Sequence, residues 1–220
     1  MLFLLSFVIV TISAVCHAYF CYIGGVNMSI LLDLQKRRAI RDYDGRDVED
    51  EKICKLLEAA TWAPNDKMRE PWKFYVVKGE AKERYNELAE QYLKERFPTK
   101  PHLVESSLKV VRNTPVQIIV TSDVIPDDAD ATKDNEFAVC CAIHSMWLAA
   151  QELGLGFVWR TRGVGLVHDE RLYEFIGSPE NKKVVGNLFI GYPSPESLKK
   201  VKPPVRTSFK EKTIWMGTGQ

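Results

Sequence analysis

The sequence predicts a folded domain in which helices and strands mix without a regular βαβ repeat, preceded by an apolar N-terminal segment. Three observations carry that expectation. Apolar residues recur at three- and four-residue spacing in several polar segments, the signature of amphipathic helices. Two runs, "VQIIVTSD" at 116–123 and "KVVGNLFIGYP" at 183–193, have the apolar, β-branched texture of buried strands. Neither a GxGxxG after a first strand nor a GxxxxGK occurs, so both nucleotide-binding fingerprints are missing. With 220 residues, 45% hydrophobic and 27% charged, the chain can bury one full core or two small ones.

In chain order, residues 29–38 read as a helix with Ser29 as its cap and Ile30, Leu31 and Leu34 on one face. Residues 48–61 form a second helix, where Ile53, Leu56, Leu57 and Ala60 share a face. A polar loop, "APNDKMREPW" at 63–72, leads into a strand, "KFYVVK". Residues 80–96 make a charged helix with a stripe of Tyr85, Leu88 and Leu93; "FPTKPH" breaks it, and 103–114 make another. After the strand at 116–123 and a loop at 124–134, residues 135–153 form the most apolar helix, expected to run through the core. "FVWRT" reads as a strand edge, "HDERLYEFIG" as a short helix ending at Gly177, and 183–193 as the last strand. The tail is basic and broken by proline.

Residues 1–27 form a unit of their own, with residues 28–220 as the folded domain. No Lys, Arg, Asp or Glu precedes Asp33, and the apolar run reaches the roughly 20 residues that span a bilayer. Three readings fit: an upstream start ahead of a true start at Met28, a signal anchor, or a signal peptide cut after "CHA". Membrane association follows only if the segment is a real anchor; otherwise the domain belongs in the cytoplasm. A net charge of +1 argues against a nucleic-acid binder. Cys54, Cys140 and Cys141 lie in apolar helical patterns and read as buried small hydrophobes in a reduced compartment; no zinc spacing is present.

Four constellations stand out. Arg37, Arg38 and Arg41, on an expected helix end, would present guanidinium groups to one anion; a solvated basic helix end is the alternative. Asn65 and Asp66 follow a helix and a proline, offering an amide and a carboxylate, or simply a turn. In "GFVWRTRG", 156–163, Arg160 and Arg162 would share a face of a strand. His144, within the apolar helix, reads as a structural core histidine. No nucleophile elbow or catalytic triad is visible.

These motifs, in this order, resemble the nitroreductase-like family of FMN-dependent NAD(P)H oxidoreductases over about residues 29–215. They stand as "RRA" at 37–39, "APND" with "EPW" within 63–72, "GFVWRT" at 156–161, and "VVGNLFIGYP" near the end. The resemblance implies an α+β fold, a mainly antiparallel central sheet flanked by helices, in a homodimer with FMN at the interface. It places Arg37, Arg38 and Ala39 at the FMN phosphate and ribityl chain, and Arg41 at the N1/O2 edge of the flavin. Trp62 and Asp66 would reach the flavin across the dimer, with Asn65 beside them. Trp159, Arg160 and Thr161 would line the same cofactor, and Arg206 would add a phosphate contact. Ala149, Ala150, Gln151, Glu152, Leu153 and Gly154 match a segment assigned to NADH or NADPH. Hydride would pass to the flavin and on to a nitroaromatic, quinone or similar acceptor by ping-pong kinetics, with no catalytic side chain and no metal. A non-catalytic flavin binder and a related flavin-transforming enzyme are the alternatives. The family's serine after the two arginines is Ala39 here, and its histidine in the loop is Asp66.

Overall fold

A computed structural model of the chain describes residues 30–217. The readings of residues 1–27, and the Ser29 cap, lie outside the described residues. The chain divides into two compact units, Met1–Lys36 and Arg37–Gln220. The first contributes helix α1 (Ile30–Lys36), none of whose residues is buried. It stops before Arg37, so Arg37, Arg38 and Arg41 do not sit on a helix end as expected.

The second unit holds a four-stranded sheet in the order β1-β2-β4-β3, with every neighbouring pair antiparallel. The strands are β1 (Trp72–Val77), β2 (Val116–Asp123), β3 (Gly156–Arg160) and β4 (Lys182–Gly191). Six further helices belong to it among the described residues: α2 (Asp50–Thr61), α3 (Glu80–Arg96), α4 (Pro101–Arg112), α5 (Ala129–Glu152), α6 (Glu170–Phe175) and α7 (Pro195–Lys200). This is the α+β architecture.

Strand alternation sorts the core into two layers, because successive side chains point to opposite sheet faces. Val116, Ile118, Val120, Leu188 and Ile190 face α2 and α5, where Leu56, Ala60, Ile143 and Met146 close the layer. Ile119, Val158 and Phe189 face the other way, onto Tyr85 and Leu93 of α3 and Leu108 and Val111 of α4. Helix α5 begins at Ala129, six residues before the expected start, because the Asp128 carboxylate accepts the Ala131 N–H at 2.8 Å and caps the first turn. Among the described residues, no helix is long and apolar enough to cross a membrane.

Two features shape the sheet around β3. Residues 37–43 run beside this edge strand: the Ile40 N–H donates to the Phe157 carbonyl at 3.1 Å. Gly156 permits that approach, since a Cβ there would lie 2.7 Å from Ile40 Cγ2. The second is a register shift between β2 and β4 at Val120/Thr121. Beside it the Val185 carbonyl accepts the Trp159 indole N–H at 3.3 Å.

Candidate functional site

Guanidinium groups gather at the β3 edge. The Arg37 guanidinium stacks 4.2 Å from the centre of the Trp147 ring on α5, and the Trp147 N–H donates to the Arg38 carbonyl at 3.2 Å. One indole thus holds both the charge and the backbone of this segment. Burial, then the neighbouring charges of Arg206 and Arg38, push Arg37 below the ordinary guanidinium pKa. Arg37 and Arg206 lie 169 positions apart in the chain, yet they are close enough to repel. Neither forms an ion pair among the described residues. Arg38 turns part of its donor fork inward, to the Arg37 carbonyl at 2.8 Å and the Lys202 carbonyl at 3.3 Å. The bond to Lys202 ties the basic tail to the segment. Ala39 is half-buried and brings no hydroxyl.

A second pair lies nearby. Arg160 is lowered by burial first and then by the charge of Arg41. Its guanidinium packs 5.4 Å from the Phe189 ring, and its Nε is buried with no hydrogen-bond partner. Under it, the Tyr43 hydroxyl donates at 2.6 Å to the Phe189 carbonyl, and the Tyr85 hydroxyl donates at 2.6 Å to the Val164 carbonyl. Burial holds both phenols well above their usual pKa, so they stay neutral and give Arg160 no counter-ion. Two nearby guanidinium groups without a carboxylate are unfavourable unless an anion joins them.

Other expected members are dispersed. Trp159 and Arg160 occupy opposite faces of β3, Trp159 with the α5 layer and Arg160 over Phe189. Thr161 is exposed just beyond the strand. Arg162 does not share a strand face with Arg160, because β3 ends at Arg160 and Arg162 enters a short 3-10 turn. Trp62, 81% exposed, and Asn65 and Asp66 precede β1, at the opposite sheet edge from β3. Three strand spacings separate those edges, about 14 Å. Within this loop the Asn65 amide oxygen accepts the Glu70 N–H at 2.9 Å, and Asp66 pairs with Arg69 at 3.0 Å. Lys67, Met68 and Glu70 adopt positive φ, which marks a tightly shaped loop.

The segment 149–154 ends α5. Ala150 is fully buried in the core, and the backbone N–H groups of Leu153, Gly154 and Leu155 bond back to Ala149, Gln151 and Ala150. A helix C-terminus presents carbonyl oxygens, which suit a cation rather than a pyrophosphate. Leu153 packs against the core, which leaves the side chains of Gln151 and Glu152 outside it.

Two further expectations are corrected. His144 is exposed, not a core histidine, because α5 buries the face of Val139, Ile143 and Met146 and turns His144 outward. Cys54 and Cys141 are exposed and Cys140 half-buried, for the same reason of helical phase. The sequence does not single out Trp147 or Tyr43, and it shows Tyr85 only as part of an apolar stripe. Their signal is a polar-tipped aromatic at a core-facing position, which needs a partner for its N–H or O–H.

The fold and the site define an α+β domain with a cluster of guanidinium groups at one edge of its sheet. The chain belongs to the nitroreductase family, whose model matches residues 34–192. It is 28% identical over 189 residues to the Bacillus subtilis protein named "Putative NAD(P)H nitroreductase YfhC", covering 83% of this chain and 94% of that one. A nitroreductase-like family protein from Bacillus cereus superposes with a TM-score of 0.73 at 29% identity, over 86% of this chain and 97% of the other. The FMN-dependent nitroreductase NfnB from Mycobacterium smegmatis, solved with NADPH, shares the fold at a TM-score of 0.68 and 16% identity, over 87% and 99% of the two chains.

Proposed function

We propose that the chain is an FMN-dependent oxidoreductase that draws reducing equivalents from NADH or NADPH and passes them to an electron-poor small molecule, a nitroaromatic or a quinone. The oxidoreductase class follows from family membership. The observation that supports the cofactor is the convergence of Arg37 and Arg206, uncompensated by carboxylates, on a tryptophan-braced backbone. A phosphate monoester is the anion such a fork fits best.

Arg37, Arg38 and Arg206 would hold the FMN phosphate, with Ala39 contributing backbone alone. Bound there, FMN supplies two-electron chemistry, taking hydride from a nicotinamide and delivering it to an acceptor. Arg41 and Arg160 supply preorganised positive charge for negative charge that develops in the site. The orphan Nε of Arg160 is a donor waiting for an acceptor. No side chain needs to act as nucleophile or general base, and donor and acceptor would use the site in turn, giving ping-pong kinetics. Asp66 adds no free charge, because Arg69 balances it. The nicotinamide assignment of residues 149–154 rests on the resemblance alone.

The working unit in this reading is a homodimer. Trp62, Asn65 and Asp66 precede β1, the sheet edge opposite β3, beside which Arg37 and Arg41 run, and in this reading each site takes them from the second copy. Helix α5 also carries an outward stripe of Phe137, Cys141, His144 and Leu148, with Phe137 56% exposed. A two-fold contact through that stripe would bury it and join the halves.

The test is the visible spectrum of the purified chain after incubation with FMN, followed by NADH or NADPH oxidation with and without a nitroaromatic. About one flavin per protomer and acceptor-dependent turnover support the reading. A colourless chain overturns it, and a yellow chain that stays oxidised under excess reductant marks a binder instead of an enzyme.

A further inference from the structure

We propose that the chain carries a second ligand site, separate from the flavin cradle, for a small aromatic carboxylate. It is the cavity of about 510 Å³ between the C-terminal end of α3 and the loop that follows β3. Tyr92, Phe97 and Val167 supply its apolar wall, and Arg96, Arg162 and His168 its polar part. None of those three basic side chains forms an ion pair among the described residues. Arg96 lies in the last turn of α3, where the macrodipole alone favours a cation. Arg162 has no such local reason; it sits exposed after a strand end.

The one carboxylate in the lining, Asp169, is already spent. It accepts from Arg171 Nε at 2.7 Å, from Arg171 Nη2 at 2.9 Å and from the Arg171 backbone N–H at 3.1 Å. Arg171 also reaches Glu95 at 2.8 Å. Both acids beside the cavity are held by Arg171 and form no ion pair with Arg162.

The loop wall is preformed. The Val164 carbonyl accepts the Tyr85 hydroxyl at 2.6 Å, and the Gly165 carbonyl accepts the Asn187 amide at 3.4 Å. Leu166 is held at φ 52, the left-handed region, with its side chain 2% exposed in the core. A non-glycine residue kept in that region by its surroundings is a mark of a shaped site. Guanidinium forks match a planar carboxylate, and the two aromatic rings match an aryl group. An inorganic anion would leave the apolar wall unused. None of the lining residues belongs to the flavin set, so this inference does not rest on the proposed function.

The experiment is a fluorine NMR titration of 4-fluorobenzoate with the full chain saturated with FMN; a chain that takes up no flavin is titrated as purified. The expected result is saturable binding, weakened at least tenfold in Arg162→Gln and at least tenfold when 4-fluorobenzamide replaces the acid. FMN retention should be equal in the wild type and the variant. Absence of saturable binding overturns the proposal. So does binding unchanged in an Arg96→Gln/Arg162→Gln double variant, equal binding of the amide, or displacement of the probe by FMN.

Discussion

Trp147 and Arg37 make one device from two residues, and each can be removed separately. If Arg37 holds the FMN phosphate as proposed, Arg37→Ala removes a charge-assisted contact and should cost FMN binding on the order of 1.5–3 kcal/mol, read by flavin fluorescence titration. Trp147→Leu leaves the charge but removes both the stacking and the N–H bond to Arg38. It should weaken FMN by about tenfold while leaving riboflavin, which has no phosphate, much less affected. Equal losses for both flavins would place the effect of Trp147 elsewhere. Lys82 offers a test of stability. It is 6% exposed, donates to the Val111 carbonyl at 2.9 Å and to Asn86, and burial lowers its pKa to about 8. Between about pH 8 and the ordinary lysine value the unfolded chain binds the extra proton and the folded chain does not. Stability from this group therefore rises with pH across that window. Urea unfolding from about pH 7.5 to 10.5 should show a Lys82-dependent gain that Lys82→Met lacks; parallel profiles would refute it. Little of this is legible in the sequence. Arg37, Arg38 and Arg41 are visible there as a basic cluster, but Lys82 reads as one more surface charge of a polar helix.

At the scale of elements, the β2–β4 register shift and Gly186 act together. A Cβ at Gly186 would lie 2.1 Å from Trp159 Nε1, so the indole occupies space that only glycine leaves. Gly186→Ala should evict Trp159 from the sheet surface and destabilise the domain by roughly 1–3 kcal/mol, the range for overpacking. Denaturant unfolding checks the stability, and tryptophan emission should shift red as the indole meets water. Helix phase explains the corrected residues. The 3.6-residue period is readable for α2 and α5, and their buried faces match it. Apolar neighbours along the chain do not show that Cys54, Cys141 and His144 fall on the outward side. The start of α5 also escapes, because "DDADATKD" looks like loop until Asp128 is seen as a cap.

For the whole molecule, the proposed site draws on segments beside β3 and before β1, the two edge strands of one sheet, and the outward stripe of α5 is where a second copy would bring them together. Phe137→Glu places a charge in that stripe at little cost to the isolated fold, since Phe137 is already exposed. The variant should sediment as a monomer and retain at least tenfold less FMN than the wild type. A monomeric wild-type chain, or a monomeric variant with full flavin, would reject the two-chain site.

From the residues alone came a domain of mixed helices and strands, both buried strands, most helices and the identity of the basic cluster; the α+β class came from the resemblance its motifs carry. Those depend on local periodicity and on side-chain chemistry, which short stretches carry by themselves. Only the folded chain decided that Arg206 lies near Arg37, that Trp147 braces Arg37 and the Arg38 backbone, that Arg160 and Trp159 part to opposite faces, and that β1 and β3 are the two sheet edges. Each of those depends on strand order and on contacts between residues far apart in the chain, which local pattern does not encode.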